Sequence, residues 1–327
     1  MPEEVVGDVS VEDFHALYKE HFGIGGYEPE QASAGNVELL TSDDSWRYPE
    51  YEQIRQTPQD DDLTASDPGV HNDLADLIGR VRSVETLRET RALRGFTRLT
   101  DTPLGLVEGK QLLRRRPLSR EHDWLPAYVV KGEGIYLEID PERLQEWEER
   151  PEVQARAQLI NNHYTDAASS RGLIMRDIRP RFVMMHTLAH LMINELVFAC
   201  GYSSASLRER LYVSDTPGKE MSGLLIYTAA GDSEGTMGGL VRMSSPNNFQ
   251  KVLKAALSDA TWCSTDPVCM DSGEHGQGTD SCNLAACHGC ALVPETSCEH
   301  FNRFLDRGLV VGSFKKPDLG FFSRLVH

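Results

Sequence analysis

The chain has 327 residues, 40% hydrophobic and 25% charged, which is ordinary for a globular protein and supplies enough core for one large domain or two. No apolar run reads as a membrane span, and the acidic start MPEEVVGDVS is unlike a secretory or transit peptide, so a cytoplasmic location is the expectation. The net charge of −17 is unevenly spread: residues 1–80 hold 19 acidic against 4 basic groups, a net of −15, which leaves −2 for residues 81–327 and bars nucleic acid only from the first quarter.

Residues 1–80 read as an acidic N-terminal arm. VSVEDFHALYKEHFG has helical spacing at Phe14, Leu17, Tyr18 and Phe22, with Ser10, Glu12 and Asp13 at the positive end of the helix dipole. A polar stretch follows to about Gly69, anchored by Trp46, Tyr48 and Tyr51, with the acidic run Asp60–Asp62. It reads as a solvated segment, or as an acidic surface that docks on a partner.

Residues 81–180 form a basic helix plus hairpin region. VRSVETLRETRALRGFTRL carries Arg82, Arg88, Arg91, Arg94 and Arg98, with Gly95 as the expected helix cap. Such a face touches phosphates, or its arginines are solvated or paired with Glu85 and Glu89. Ala127–Val130 and Ile135–Ile139 alternate like the strands of a hairpin, with Gly132 and Gly134 at its turn and Glu133 as a turn residue. Asp140 and Pro141 open the next helix as N-cap and first residue. Another helix is expected from 151, with a loop at Ser169–Gly172, and Pro180 begins the element after it.

Residues 181–327 make the third region. RFVMMHTLAHLMINELVFAC is apolar nearly all round, which predicts a buried helix. His186, His190 and Asn194 form its one polar stripe. Two histidines four apart can chelate a metal, but Thr187 stands where a zinc protease has glutamate. The stripe reads as hydrogen-bonded core. The alternative is a phosphoryl-transfer, nuclease-like enzyme using His186, His190 and Asp232. Ser203 or Ser204 caps a short helix holding Arg208 and Arg210, and Leu224–Thr228 is a buried strand. The loop after it has Gly231, Gly235, Gly238 and Gly239 but matches neither a P-loop nor a dinucleotide fingerprint. Residues 247–260 are helical in pattern.

Six of the seven cysteines lie between Cys263 and Cys298. Cys282, Cys287, Cys290 and Cys298 follow C-x4-C-x2-C-x7-C spacing. Such spacing brings four soft ligands to the corners of a zinc tetrahedron at small loop-closure cost. An iron–sulfur cluster or a disulfide network are the other chemistries four cysteines allow. Cys263 and Cys269 form a looser pair. They join this site, bind a second ion with His275, His288 or His300, or are buried thiols. The fold class is α+β: a mixed sheet packed against the buried helix, with a cysteine-rich zinc module near the C-terminus.

The strings HTLAHLMINELVFACGYSSASLRERLY, LLIYTAAGDSEGTMGGLVR and CNLAACHGCALVPETSCEHFNRFLDR, in that order, resemble the zinc-binding domain at the C-terminal end of MrfA-type helicases. With VETLRETRALRGFTRL and WLPAYVVKGEGIYLEID upstream, residues 80–310 resemble the DrmB family of DISARM anti-phage systems. The resemblance implies that Cys282, Cys287, Cys290 and Cys298 are the zinc ligands. It also implies a non-enzymatic subunit beside a helicase-type partner, with DNA engaged through the complex and no membrane contact. Proteins of that family are much longer, with an N-terminal half not seen here. The sequence has no Walker motif, no His-x-Lys nuclease motif and no complete hydrolase triad, so it encodes no helicase motor.

Overall fold

The sheet has five strands rather than the three expected. They are β1 (Leu63–Ser66), β2 (Ile78–Ala92), β3 (Ala127–Ile139), β4 (Leu207–Ser214) and β5 (Met221–Thr228), in the order β1-β2-β3-β5-β4. This computed structural model describes residues 35–93, 124–171, 175–228 and 238–326. The helix expected near Phe14–Phe22, the arginines from Arg94 to Arg116 and the glycine-rich loop with Asp232 lie outside the described residues.

The chain separates into two units, Met1–Gly35 with Thr90–Val129, and Asn36–Glu89 with Val130–His327. In the first, the Leu93 N–H donates to the Pro126 carbonyl at 2.8 Å, and the Arg91 guanidinium lies 5.8 Å from the centre of the Tyr128 ring. All that follows concerns the second.

Strand alternation sorts the side chains onto two faces. Ile135, Leu137 and Ile139 on β3, Leu224 and Ile226 on β5, and Leu207 and Leu211 on β4 enter the main core. Tyr136, Leu225, Tyr227 and Tyr212 point to the other face. The pairing β3–β5, with Ile135 opposite Ile226 and Leu137 opposite Leu224, keeps each set in register.

The second face is covered by α1 (Gly35–Arg55), inside the stretch expected to be a solvated arm. Tyr51 and Ile54 are buried there, and the Tyr51 ring centre lies 6.4 Å from Tyr136 and 6.1 Å from Tyr212. Such aromatic contacts add to the area they bury. Trp46 remains 74% exposed. The acidic residues of this stretch find cations: Asp67 pairs with Arg82 at 2.7 Å and Asp62 with Arg88 at 2.9 Å.

Strands β2 and β3 differ from their sequence reading. The arginine-rich helix is strand β2. Ile78, Val81, Val84, Thr86 and Thr90 crowd it with β-branched side chains, and β1 and β3 flank it. The hairpin is one unbroken strand, β3, with no turn at Gly132 or Gly134. Those glycines serve close approach instead. A Cβ on Gly132 would lie 2.1 Å from the Thr228 carbonyl oxygen.

The helices follow the expected stops and starts more closely. In α2 (Pro141–Glu148) the Asp140 carboxylate accepts from the Arg143 N–H at 2.9 Å, with Pro141 at the first turn. Helix α3 (Pro151–Arg171) follows. Helix α4 (Pro180–Cys200) starts at its proline and ends at left-handed Gly201. Thirteen of its 21 residues are buried, which is the reason that it is apolar nearly all round. It is long and apolar enough to span a bilayer, but protein covers it. The remaining helices are α5 (Gly239–Met243), α6 (Pro246–Ala260), α7 (Arg307–Val311) and α8 (Ser323–Val326). Ser204–Ser206 is a single 3-10 turn, and Arg208 and Arg210 sit on strand β4 rather than on a helix.

Candidate metal centres

Four cysteines meet where the segment after α6 folds back on the loop before α7. Cys263 Sγ lies 3.5 Å from Cys287 Sγ, Cys287 Sγ 3.7 Å from Cys290 Sγ, and Cys290 Sγ 3.8 Å from Cys269 Sγ. All four sulfurs lie within 4.8 Å of one another. A zinc ion with Zn–S bonds of about 2.3 Å holds its sulfurs about 3.8 Å apart at tetrahedral angles. A disulfide needs S–S near 2.05 Å, about half that separation. The sulfur separations therefore suit zinc rather than a disulfide, and all seven cysteines are unbridged.

Neighbours orient these sulfurs. The Cys287 N–H donates to Cys290 Sγ at 3.2 Å, as expected when a C-x2-C pair wraps an ion. The Gln277 amide donates to Cys269 Sγ at 3.5 Å, and Arg307 Nη2 reaches the same sulfur at 3.6 Å. Hydrogen bonding from the Cys290 thiol, with Arg307 behind it, lowers Cys269 to about 5. That same contact, with burial, pushes Cys290 well up.

Arg307 is fully buried and ties the cluster to the core. It donates to the carbonyls of Ala260 at 2.6 Å and Ala285 at 3.2 Å, and to Asp266 at 3.1 Å. Asp306 beside it caps α7, accepting from the Gly308 N–H at 2.9 Å, and pairs with Arg156 of α3 at 2.5 Å. The Asp306 N–H donates to the Thr187 hydroxyl of α4 at 2.9 Å. Thr187 therefore serves as a brace to the cysteine module.

The structure brings together Cys287 and Cys290 from the sequence-predicted set, and joins them to Cys263 and Cys269. Cys282 and Cys298 stand elsewhere. Cys282 is buried in the main core, its Sγ 3.4 Å from the Asp280 carbonyl oxygen. Cys298 lies against the histidine helix, its Sγ 3.2 Å from His186 Nε2. Sequence spacing favours the nearest cysteines along the chain, whereas the fold closes loops of 24 and 21 residues to reach Cys263 and Cys269. Closure cost grows slowly with loop length, so these longer returns cost little more.

His186 and His190 are fully buried, their ring centres 4.6 Å apart and perpendicular. Glu209 faces them from β4, where alternation sets it on the same face as Leu207 and Leu211. Its Oε1 is 3.1 Å from His186 Nε2 and its Oε2 is 3.5 Å from His190 Nε2. Sequence reading passed over Glu209. Its one signal was a carboxylate at the core-facing step of an alternating stretch. Burial pushes His186 below the usual histidine value. Desolvation would raise Glu209, but the two imidazoles outweigh it and hold the carboxyl well below its usual range. Burial and the Glu209 charge push the Cys298 thiol up. A phosphodiester cannot reach these rings, so the nuclease-like alternative built on them loses its access. Asn194, the third residue of the stripe, lines a separate surface cleft with Glu195, Phe198 and Trp262.

Residues 188–291 match the MrfA Zn-binding domain. That range contains all of Cys263, Cys269, Cys287 and Cys290. The DISARM protein DrmB of Bacillus paralicheniformis is 34% identical over 302 residues, which is 88% of this chain and 52% of that relative. The chain spans about half the length of the curated relative it matches.

Proposed function

We propose that this chain, DrmB-like over most of its length and bearing an MrfA Zn-binding domain, is a zinc-stabilised, non-catalytic subunit of an anti-phage defence complex. In that complex it acts beside a helicase-type partner in the cytoplasm and helps to engage DNA. The observation that carries this reading is the four-sulfur cluster inside the matched domain. Cys263, Cys269, Cys287 and Cys290 would hold the ion. Four thiolates complete a tetrahedron and leave no position for water or substrate, which is the pattern of a structural rather than a catalytic zinc.

The cluster's part in the complex follows from its anchoring. Arg307 and Asp306 fix the cysteine loops to α3, α4 and α6, so the ion would rigidify a surface that a partner subunit can read. The test is affinity purification of the tagged chain from its native host, with mass spectrometry and metal analysis on the same fraction. A helicase-type subunit co-purifying with the zinc-loaded chain, and salt-dependent DNA binding by the pair, is the expected result. A zinc-loaded chain that recruits no helicase and confers no DNA binding would overturn the assignment.

A further inference from the structure

We propose that His186, His190, Glu209 and Cys298 form a second, fully buried zinc site, separate from the four-cysteine cluster. The two groups share no ligand. His186 and Cys298 lie outside residues 188–291 of the matched domain, while His190 and Glu209 lie inside, so this second group straddles its boundary.

The geometry is that of a ligand shell. Two imidazole nitrogens, one carboxylate oxygen and one sulfur lie within 4.8 Å of one another. His186 Nε2 is 3.1 Å from Glu209 Oε1 and 3.2 Å from Cys298 Sγ. Zinc with bonds of about 2.0–2.3 Å sets its ligand atoms about 3.3–3.8 Å apart, close to the separations around His186 Nε2. Nitrogen, sulfur and carboxylate oxygen are all zinc donors.

The hydrogen bonding leaves a place for a cation. His190 Nδ1 lies 2.8 Å from the Ala291 carbonyl oxygen, which can only accept, so Nδ1 carries the ring proton. Nε2 then offers a lone pair, and it faces Glu209 Oε2 at 3.5 Å. Neither atom has a hydrogen-bond partner, and His186 Nδ1 has none either. Two acceptors facing each other in a dry interior are costly unless something positive lies between them. An outer N–H given to a backbone carbonyl is the usual support of a metal-bound imidazole.

Cys298 indicates that the cation is a metal rather than a proton. Its sulfur accepts two backbone N–H groups, from His300 at 3.3 Å and Asn302 at 3.2 Å. Burial and the Glu209 carboxylate oppose a bare thiolate here, so an anionic sulfur needs a metal's charge, and the two backbone donors would support it once an ion is bound. One Zn2+ with the Glu209 carboxylate and the Cys298 thiolate sums to zero charge, which suits a site with no water. On binding, the thiol proton leaves to solvent as the Zn–S bond forms. The shell would pin α4 to strand β4 and to the 297–299 segment along that strand's outer edge. There the Glu209 N–H donates to the Ser297 carbonyl at 3.1 Å and the Glu299 N–H to Glu209 Oε1 at 3.0 Å.

The test is zinc stoichiometry on the full chain purified from zinc-supplemented medium, by inductively coupled plasma mass spectrometry. The expected result is two zinc ions per chain for the wild type and one for Cys298→Ser and for Glu209→Gln. Cobalt exchange then reports which site survives: the variants keep the intense sulfur-to-cobalt charge-transfer band of the four-thiolate centre. If a variant fails to fold, competition on the wild type with a chromogenic zinc chelator decides, with two separately released ions expected per chain. One ion per wild-type chain, or an unchanged count in folded Cys298→Ser and Glu209→Gln proteins, would overturn the second site. Loss of the helicase partner would leave this result untouched, because the count does not depend on the complex.

Discussion

Individual residues decide what this molecule can hold. Cys290 touches both Cys287 and Cys269, so Cys290→Ser removes a corner of the four-sulfur shell. Binding energy at structural zinc sites, on the order of 10 kcal/mol, is folding energy. The variant is expected to lose that ion and to melt well below the wild type, read by metal analysis and thermal denaturation together. Glu133 shows a different use of a buried charge. Read as a turn residue between two glycines, it is 1% exposed and caps α5. It accepts from the Gly238 N–H at 2.6 Å, the Leu240 N–H at 2.9 Å and the Tyr202 hydroxyl at 2.6 Å. Glu133→Ala strands two buried donors, the Leu240 N–H and the Tyr202 hydroxyl, at about 1–3 kcal/mol for each unsatisfied group. An unfolding free energy lowered by about 2 kcal/mol or more, read from urea denaturation, is expected, with Glu133→Gln losing less because its amide oxygen still accepts.

Elements were legible where a residue's chemistry is local. Asp140 with Pro141, and Pro180 with Gly201, mark helix ends through their own backbone preferences, and the structure puts α2 and α4 there. The all-apolar run of α4 has one stable place, the interior, and it lies there. Legibility failed where a distant partner decides. Arg82 to Ala92 suit a helix by composition but sit in β2, because neighbouring strands take up their hydrogen bonds. Gly132 and Gly134 look like a turn, yet their missing side chains admit β5. The proposed ligands divide the same way: Cys287 and Cys290 announce themselves by C-x2-C spacing, whereas Cys263, Cys269 and Glu209 are brought in by folding. These packing arguments set two magnitudes. Gly132→Ala would thrust a methyl into the Thr228 backbone, and a loss of more than about 3 kcal/mol is expected, as for severe overpacking. Leu188→Ala, at the fully buried centre of α4, is expected to cost about 2–5 kcal/mol. Chemical denaturation of both variants checks the pair, and a neutral Gly132→Ala would mean that β3 and β5 pack less closely than described.

At the scale of the molecule, the cysteine module is continuous with the main core rather than appended to it. Cys282, Leu284, Ala286, Ala291 and Val293 belong to the same apolar cluster as α4, α6 and the inner face of the sheet. Arg307 and Asp306 carry the connection through buried hydrogen bonds to Ala260, Ala285 and Thr187. Among the described residues the two share one apolar cluster, so loss of an ion held by the four cysteines is expected to loosen the core as well. Thiolate ligands also compete with protons: acidification protonates them and lowers affinity, so zinc is released as pH falls, never as it rises through neutrality. Zinc stripping by a strong chelator at neutral pH, or by mild acid, is therefore expected to shift the main calorimetric transition downward as a whole. A separately melting module would instead lose a small transition and leave the main one in place. Calorimetry on loaded and stripped protein distinguishes the two, and a main transition that keeps its midpoint after complete zinc removal would mean that the core stands without its metal.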